Sequence, residues 1–177
     1  MIYEPREDSF ILKKYVELYA YGKVLDMGTG SGIQAQAALK KTQDVLAADI
    51  NPEAVKHVQA LGIRAIHSDL FSNIKETFDV IIFNPPYLPH AHGEDEESQQ
   101  ITTGGAQGYE ILESFLKDAQ QHLNPRGIIL LVYSSLTGNI EKLAKKYHLV
   151  LTVVQEKKIF FETLIVAKVR NEVIFDL

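Results

Sequence analysis

The chain has 177 residues, a length that suits one domain over 1–177, and 46% of them are hydrophobic, enough for a sizeable core. The absence of cysteine excludes disulfides, thiolate metal sites and a cysteine nucleophile, and a net charge of -5 does not suit a protein that holds nucleic acid mainly by its phosphates. No apolar run approaches the ~20 residues that span a bilayer, and the acidic opening 1–8 lacks the layout of a signal peptide, so a cytoplasmic setting is expected.

Taken in order, residues Ser9 to Ala20 carry Phe10, Ile11, Tyr15, Val16, Leu18 and Tyr19 at roughly helical spacing, which predicts a helix with Asp8 or Ser9 as its cap. Val24-Leu25-Asp26-Met27 is a short apolar run before a glycine cluster and reads as a buried strand. An alanine-rich helix is expected over Ser31 to Lys41, and a strand over Asp44 to Asp49. Pro52 opens a helix at a position where its missing N–H costs nothing, with Asn51 as cap, and Gly62 stops it. Strands follow at Arg64 to Ser68 and Phe78 to Phe83, the latter ended by Asn84-Pro85-Pro86.

A long loop runs from Tyr87 to about Gln107 and holds the acidic stretch Glu94 to Glu97. Beyond it come a helix over Gly108 to Leu123, a turn at Pro125-Arg126-Gly127, a strand over Ile128 to Tyr133 and a helix over Asn139 to Tyr147. Two strands, Val150 to Glu156 and Thr163 to Val169, close the chain with only the polar link Lys157-Lys158, so they should pair antiparallel at an edge. Elsewhere strands and helices alternate, which predicts an α/β, Rossmann-like sheet, mostly parallel and covered by helices on both faces. Ligands bind such sheets beyond the carboxyl ends of the strands.

Four segments fall at those ends. In Asp26-Met27-Gly28-Thr29-Gly30-Ser31-Gly32 three alternate glycines permit a sharp turn that brings backbone amides against a ligand. The spacing is a near miss of the dinucleotide fingerprint, and Asp26 suits a ligand ammonium better than a diphosphate. Asp49, followed by Ile50, can bond ribose hydroxyls or serve the helix N-terminus after it. Asp69 can accept from an adenine amino group, with Leu70 or Phe71 over the base, or can be a turn residue. Asn84-Pro85-Pro86-Tyr87 is the sharpest signal. Two prolines stiffen the backbone so that the Asn84 side chain and Pro85 carbonyl can accept from one planar –NH₂ beside the Tyr87 ring. The alternative is a rigid strand exit. His90 and His92 lie near the acidic run, but no further histidine or cysteine pattern supports a metal site.

These motifs resemble the HemK-related glutamine-N5 methyltransferases of translation release factors, in particular their short archaeal and eukaryotic branch. The likeness rests on Tyr3-Glu4-Pro5-Arg6-Glu7-Asp8-Ser9-Phe10, on Asp26 to Gly32, on Asn84 to Tyr87, on Thr103 to Glu110 and on Glu162-Thr163-Leu164. The resemblance implies a seven-stranded class I methyltransferase fold and S-adenosyl-L-methionine as cofactor. It implies that Asp26, Gly28, Thr29, Gly30 and Gly32 hold the methionine part, Asp49 the ribose and Asp69 the adenine end, with Ile50 and Leu70 also among the cofactor-binding residues. Glu7, Asp8 and Ser9 would help close the pocket, and Asn84, with Pro85, Pro86 and Tyr87, would hold the glutamine amide beside the cofactor. It further implies a release factor as substrate and a small zinc-binding activator protein as partner. The Asn-Pro-Pro-Tyr tetrad is shared with DNA and RNA amino-methyltransferases, so methylation of a base amino group is the competing enzyme reading. Glu94 to Glu97 oppose it by repelling phosphates, and no domain that flips out or reads a base is expected beside the single domain. A non-catalytic cofactor-binding or partner-binding module is the third reading, and it gives no reason for the amide clamp.

Overall fold

A computed structural model describes residues 2–87 and 108–172. The elements in order are α1 (Glu7–Tyr19), β1 (Val24–Met27), α2 (Ile33–Leu39), β2 (Val45–Asp49), α3 (Pro52–Ala60), β3 (Ala65–His67), β4 (Phe78–Phe83), α4 (Glu110–Ala119), β5 (Leu123–Ser134), α5 (Ile140–Lys146), β6 (Leu149–Ile159) and β7 (Glu162–Asn171). The expected loop over 88–107, with His90, His92 and Glu94 to Glu97, lies outside the described residues.

The strands form one seven-stranded sheet in the order β3-β2-β1-β4-β5-β7-β6. β1 to β5 run parallel, and β7 pairs antiparallel with both β5 and β6. The chain winds outward from β1 in one direction and from β4 in the other. The crevice between them is the switch point at which such sheets bind ligands.

Each strand alternates between two cores. In β5, Ile129, Leu131 and Tyr133 join one cluster and Leu130 and Val132 the other. Leu112, Phe115 and Leu116 of α4 and Ile140 and Ala144 of α5 complete the first core, whereas Leu12 and Val16 of α1, Ala35 of α2 and Val58 of α3 complete the second. Phe115 stacks on Phe83 at 4.2 Å and Phe71 at 5.3 Å. Burying a side chain of that size contributes about 1.5–3 kcal/mol.

Three local expectations are corrected. Helix α1 starts at Glu7 after Arg6, so neither Asp8 nor Ser9 is its cap; both lie inside its first turn. Pro125-Arg126-Gly127 is a bulge within a continuous β5 rather than a turn before it. Leu123 pairs with Phe78 and Ile128 with Val80, so residues 124–127 loop out opposite Asp79, with Arg126 at φ +68°. The final hairpin turns at Phe160-Phe161, because Ile159 still pairs with Glu162, and Lys157 and Lys158 continue the edge strand. Charged side chains on an edge strand discourage pairing with other chains, so they suit that position. Asn51 caps α3 as expected, its side chain accepting from the Glu53 N–H at 2.9 Å. Among the described residues no helix is long and apolar enough to cross a membrane.

Candidate active site

The glycine turn after β1 adopts positive φ at Gly28 (+64°), Gly30 (+50°) and Gly32 (+79°), backbone that side chains rarely tolerate. A Cβ at Gly32 would also approach Val58 to 3.1 Å. The turn therefore needs glycine for conformation at three points and for helix packing at one. Asp26 lies fully buried beneath it and accepts from Thr29 Oγ1 at 2.6 Å and from the Ala35 N–H at 3.0 Å. Burial pushes its carboxyl up to about 7; the Thr29 and Ala35 bonds oppose that shift and the Asp49 charge adds to it. Asp49 accepts from the Gly30 N–H through one oxygen and from the Asn51 N–H through the other, each at 2.8 Å. Each oxygen keeps a second lone pair, so ribose hydroxyls can still be accommodated. Asp49 thus serves the chain after β2 and braces the glycine turn at once.

Farther along the same rim, Ile50 and Asp69 are exposed, and Leu70 is half-buried with φ +45°. Asp69 lies in a turn in which its backbone bonds Ser72. Phe71 cannot cover a base: it is buried in the core, stacked on His122 at 4.4 Å and on Phe115. Of the two residues considered for that role, only Leu70 remains on the rim.

Across the crevice, at the end of β4, the opening segment meets the Asn84 tetrad. Tyr3 crosses the glycine turn, with its Cβ 3.7 Å from where a Gly30 side chain would begin, and Gln34 Nε2 donates to the Ser9 carbonyl at 2.9 Å. The buried Asp8 carboxylate gathers this region. It accepts from the Tyr3 hydroxyl at 2.9 Å, from the Tyr87 hydroxyl at 3.2 Å, from Asn84 Nδ2 at 3.2 Å and from its neighbour Ser9. Asn84 Nδ2 also reaches Ser9 Oγ at 3.4 Å. The other end of the carboxamide, Oδ1, is buried and has no hydrogen-bond partner among the described residues. Such an acceptor costs about 1–3 kcal/mol when unsatisfied, so a donor from a bound molecule would be favoured there. Burial and the Asp8 charge push the hydroxyls of both Tyr3 and Tyr87 well up, so both stay protonated donors at neutral pH. The Pro85 ring is buried behind the strand exit, and the Tyr87 carbonyl accepts from Thr137 Oγ1 at 3.1 Å.

The family model "Methyltransferase small domain" matches residues 8–161. A protein of Methanocaldococcus jannaschii that carries the name of a protein N5-glutamine methyltransferase is 38% identical over 153 residues, 81% of this chain and 78% of its own. The chain belongs to the HemK-related protein glutamine-N5 methyltransferases. A second member, the methyltransferase HEMK2 of Homo sapiens, is 30% identical over 152 residues, 74% of this chain and 71% of its own. The solved Mtq2–Trm112 complex of E. cuniculi, responsible for methylation of the eRF1 translation termination factor, contains a chain that superimposes with a TM-score of 0.78 at 26% identity, over 97% of this chain and 99% of that one. This methyltransferase uses S-adenosyl-L-methionine, and its donor set fits that cofactor. Two buried carboxylates, Asp26 and Asp49, face the glycine turn, and their acceptor oxygens suit a cationic ammonium and ribose hydroxyls.

The structure brings Asp8, Ser9, Asn84 and Tyr87 together directly, and Asp26, Thr29, Gly30 and Asp49 together around the glycine turn. It does not bring Glu7 into either group: Glu7 is exposed and pairs with Lys157 on β6. Two residues that touch the site escape sequence reasoning. Tyr3 stands in the opening motif but had no assigned role. Thr137, fifty positions from Tyr87, gives no local signal at all.

Proposed function

We propose that the chain transfers a methyl group to the N5 nitrogen of the glutamine in the Gly-Gly-Gln loop of a translation release factor. The observation that carries this reading is the Asn84 carboxamide. Asp8 and Ser9 hold its nitrogen, so its orphaned Oδ1 is presented as an acceptor. A freely turning carboxamide would offer –NH₂ to the substrate half of the time and repel it. Asp8 fixes the polarity. The Pro85 carbonyl, next in the chain, is the second acceptor that the two amide hydrogens require.

The sulfonium of S-adenosyl-L-methionine supplies an electrophilic methyl group when bound. Asp26 would take its ammonium, Asp49 its ribose, and Asp69 with Leu70 its adenine end. A neutral amide nitrogen is a poor nucleophile, so the chain works mainly by alignment. Asn84 Oδ1 and the Pro85 carbonyl would stabilise the positive charge on nitrogen as the N–C bond forms and the methyl–sulfur bond breaks, its electron pair staying on sulfur as a neutral thioether. The methylated nitrogen is then acidic and releases its proton to water, so no strong base is needed.

A release factor as substrate is supported by the eRF1-methylating neighbour and by the Release factor glutamine methyltransferase of Koribacter versatilis, 34% identical over 126 residues; the match covers 45% of that longer protein. A small partner protein is proposed on the same ground, since the neighbour is a complex with Trm112, and its zinc binding is proposed on the family resemblance alone. In this reading the protein acts in the cytoplasm and nucleic acid is not its direct substrate. Mass spectrometry on a release factor incubated with enzyme and S-adenosyl-L-methionine, with and without the partner, tests it. A methyl group on that glutamine is expected. Transfer to RNA or DNA in its place would remove the reading.

A further inference from the structure

The β6–β7 hairpin ends in two phenylalanines that neither core uses. Phe160 is 96% exposed and Phe161 98% exposed. Two aromatic rings held in water are unfavourable, and single-domain proteins avoid clustering them without a purpose. The backbone adds to the cost. Phe160 sits at φ +37°, in a two-residue turn where glycine or asparagine is the ordinary choice. A bulky residue at positive φ is an outlier that points toward function. Stability does not account for the pair.

Their place in the fold does. Leu164 of β7 lies opposite Ser134, the last residue of β5, so the turn projects about 10 Å past the carboxyl end of β5. That is the end of the sheet at which Asn84 stands. Three links tie the turn to the acceptor clamp. Lys157 pairs with Glu7, the neighbour of Asp8. The Ser135 N–H donates to the Thr163 carbonyl at 2.8 Å and the Thr163 N–H to Ser135 Oγ at 3.0 Å, while Thr137 of the same loop holds the Tyr87 carbonyl. Glu162 is near enough to Tyr87 for its charge to help raise the phenol. Leu136, half exposed between Ser135 and Thr137, adds an apolar side chain to that rim.

We propose that Phe160 and Phe161, with Leu136 of the loop bonded to Thr163, dock the protein substrate by an apolar surface outside its glutamine loop. This rests on the reading that the substrate is a folded protein. A glutamine side chain in the clamp brings its own polypeptide over this rim, and the rim is continuous with the clamp. Aromatic anchors on a rigid turn lose little conformational freedom on binding, which is why they carry interface affinity.

The test is an F160N/F161S double variant, in which asparagine suits the positive φ and neither side chain leaves a core. It is compared with the wild type, the same partner protein being present in every arm, on a folded release factor and on a short peptide containing Gly-Gly-Gln. The expected result is a rise in KM for the folded protein of about 10- to 30-fold. The peptide KM, cofactor affinity and Tm stay at wild-type values. An unchanged KM for the folded protein, with methylation of the glutamine intact, overturns the docking proposal and leaves the substrate reading standing. An equal loss on peptide and protein overturns it as well, by placing the turn inside the clamp. Failure of the wild type to methylate either substrate removes the substrate reading and the proposal with it. Two other occupants are checked in the same samples. Anionic vesicle binding or self-association that the variant loses, while its kinetics on the folded protein are unchanged, would reassign the turn to a membrane or to a second copy.

Discussion

On the cofactor side of the crevice, Asp26 and Asp49 are held by the Thr29 hydroxyl and by backbone N–H groups of the glycine turn and the segments after it. On the acceptor side, Asp8 and Asn84 stand 76 positions apart and meet through their side chains alone, and one of the four hydrogen-bonding ends, Asn84 Oδ1, is left open. The first region is a cradle braced by main chain. The second, in the proposed reading, is a clamp whose open acceptor takes the substrate amide. The contrast teaches a division of labour: damage to the cradle should appear in cofactor binding, and damage to the clamp in turnover.

The largest expected effect lies in the clamp. Asn84→Ala should lower kcat by about 100- to 1000-fold, the usual loss when a preorganised polar group leaves a developing charge, with the cofactor Kd little changed. Single-turnover kinetics beside calorimetry checks both, and retained turnover would erase the distinction between the two regions. Next, Asp49→Ala should weaken cofactor binding by about 10- to 100-fold, because charged hydrogen bonds to ribose and to the turn are lost together. If kcat at saturating cofactor falls as far, the cradle is not separable from the clamp. A milder change is expected from Asp8→Asn, about tenfold in kcat, since an amide in its place can still accept from Asn84 but no longer excludes the flipped arrangement. A loss of cofactor affinity instead would return Asp8 to the pocket-closing role that its opening motif implied.

The smallest effect is a pH dependence peculiar to the cradle. Asp26 is raised from 3.8 to about 7 by burial, so the folded chain binds more protons than the unfolded chain between those values. Its contribution to stability is therefore complete below pH 3.8 and declines as pH rises to about 7. Cofactor binding through an ammonium needs the carboxylate and has the opposite sign. Affinity measured by calorimetry should rise several-fold between about pH 6 and about pH 8, and Asp26→Asn should flatten the profile. A flat wild-type profile would mean that the ammonium goes elsewhere.

The same contrast explains what was legible in the sequence. Val24–Met27, Phe78–Phe83, the Asn51-capped helix and the glycine turn obey local rules of period, capping and positive φ, and they appear as read. The cradle is made of such pieces. The tetrad was legible as a stiff acceptor, but which way its amide faces depends on Asp8, and nothing within a turn of Asn84 encodes that. Phe71 was misplaced for a related reason: beside Asp69 it looked available, yet packing against Phe115 and His122 draws it inward. The hairpin turn lies three residues beyond Lys157-Lys158, which looks like a link, and it carries two aromatic residues that turn statistics disfavour.

The looped-out stretch in β5 reaches further than its own neighbourhood. A Cβ at Gly127 would stand 2.9 Å from the Asn124 carbonyl and 3.0 Å from that of Phe78, so the kink tolerates no side chain there. It indexes β5 against β4 like a detent on a slide. Were β5 to slip by a single position, Ile129, Leu131 and Tyr133 would trade sides with Leu130 and Val132, and both oily layers would be wrong at once. The strand's far tip carries the loop in which Thr137 grips Tyr87, so a glycine at the opposite pole of the sheet sets how far that grip extends.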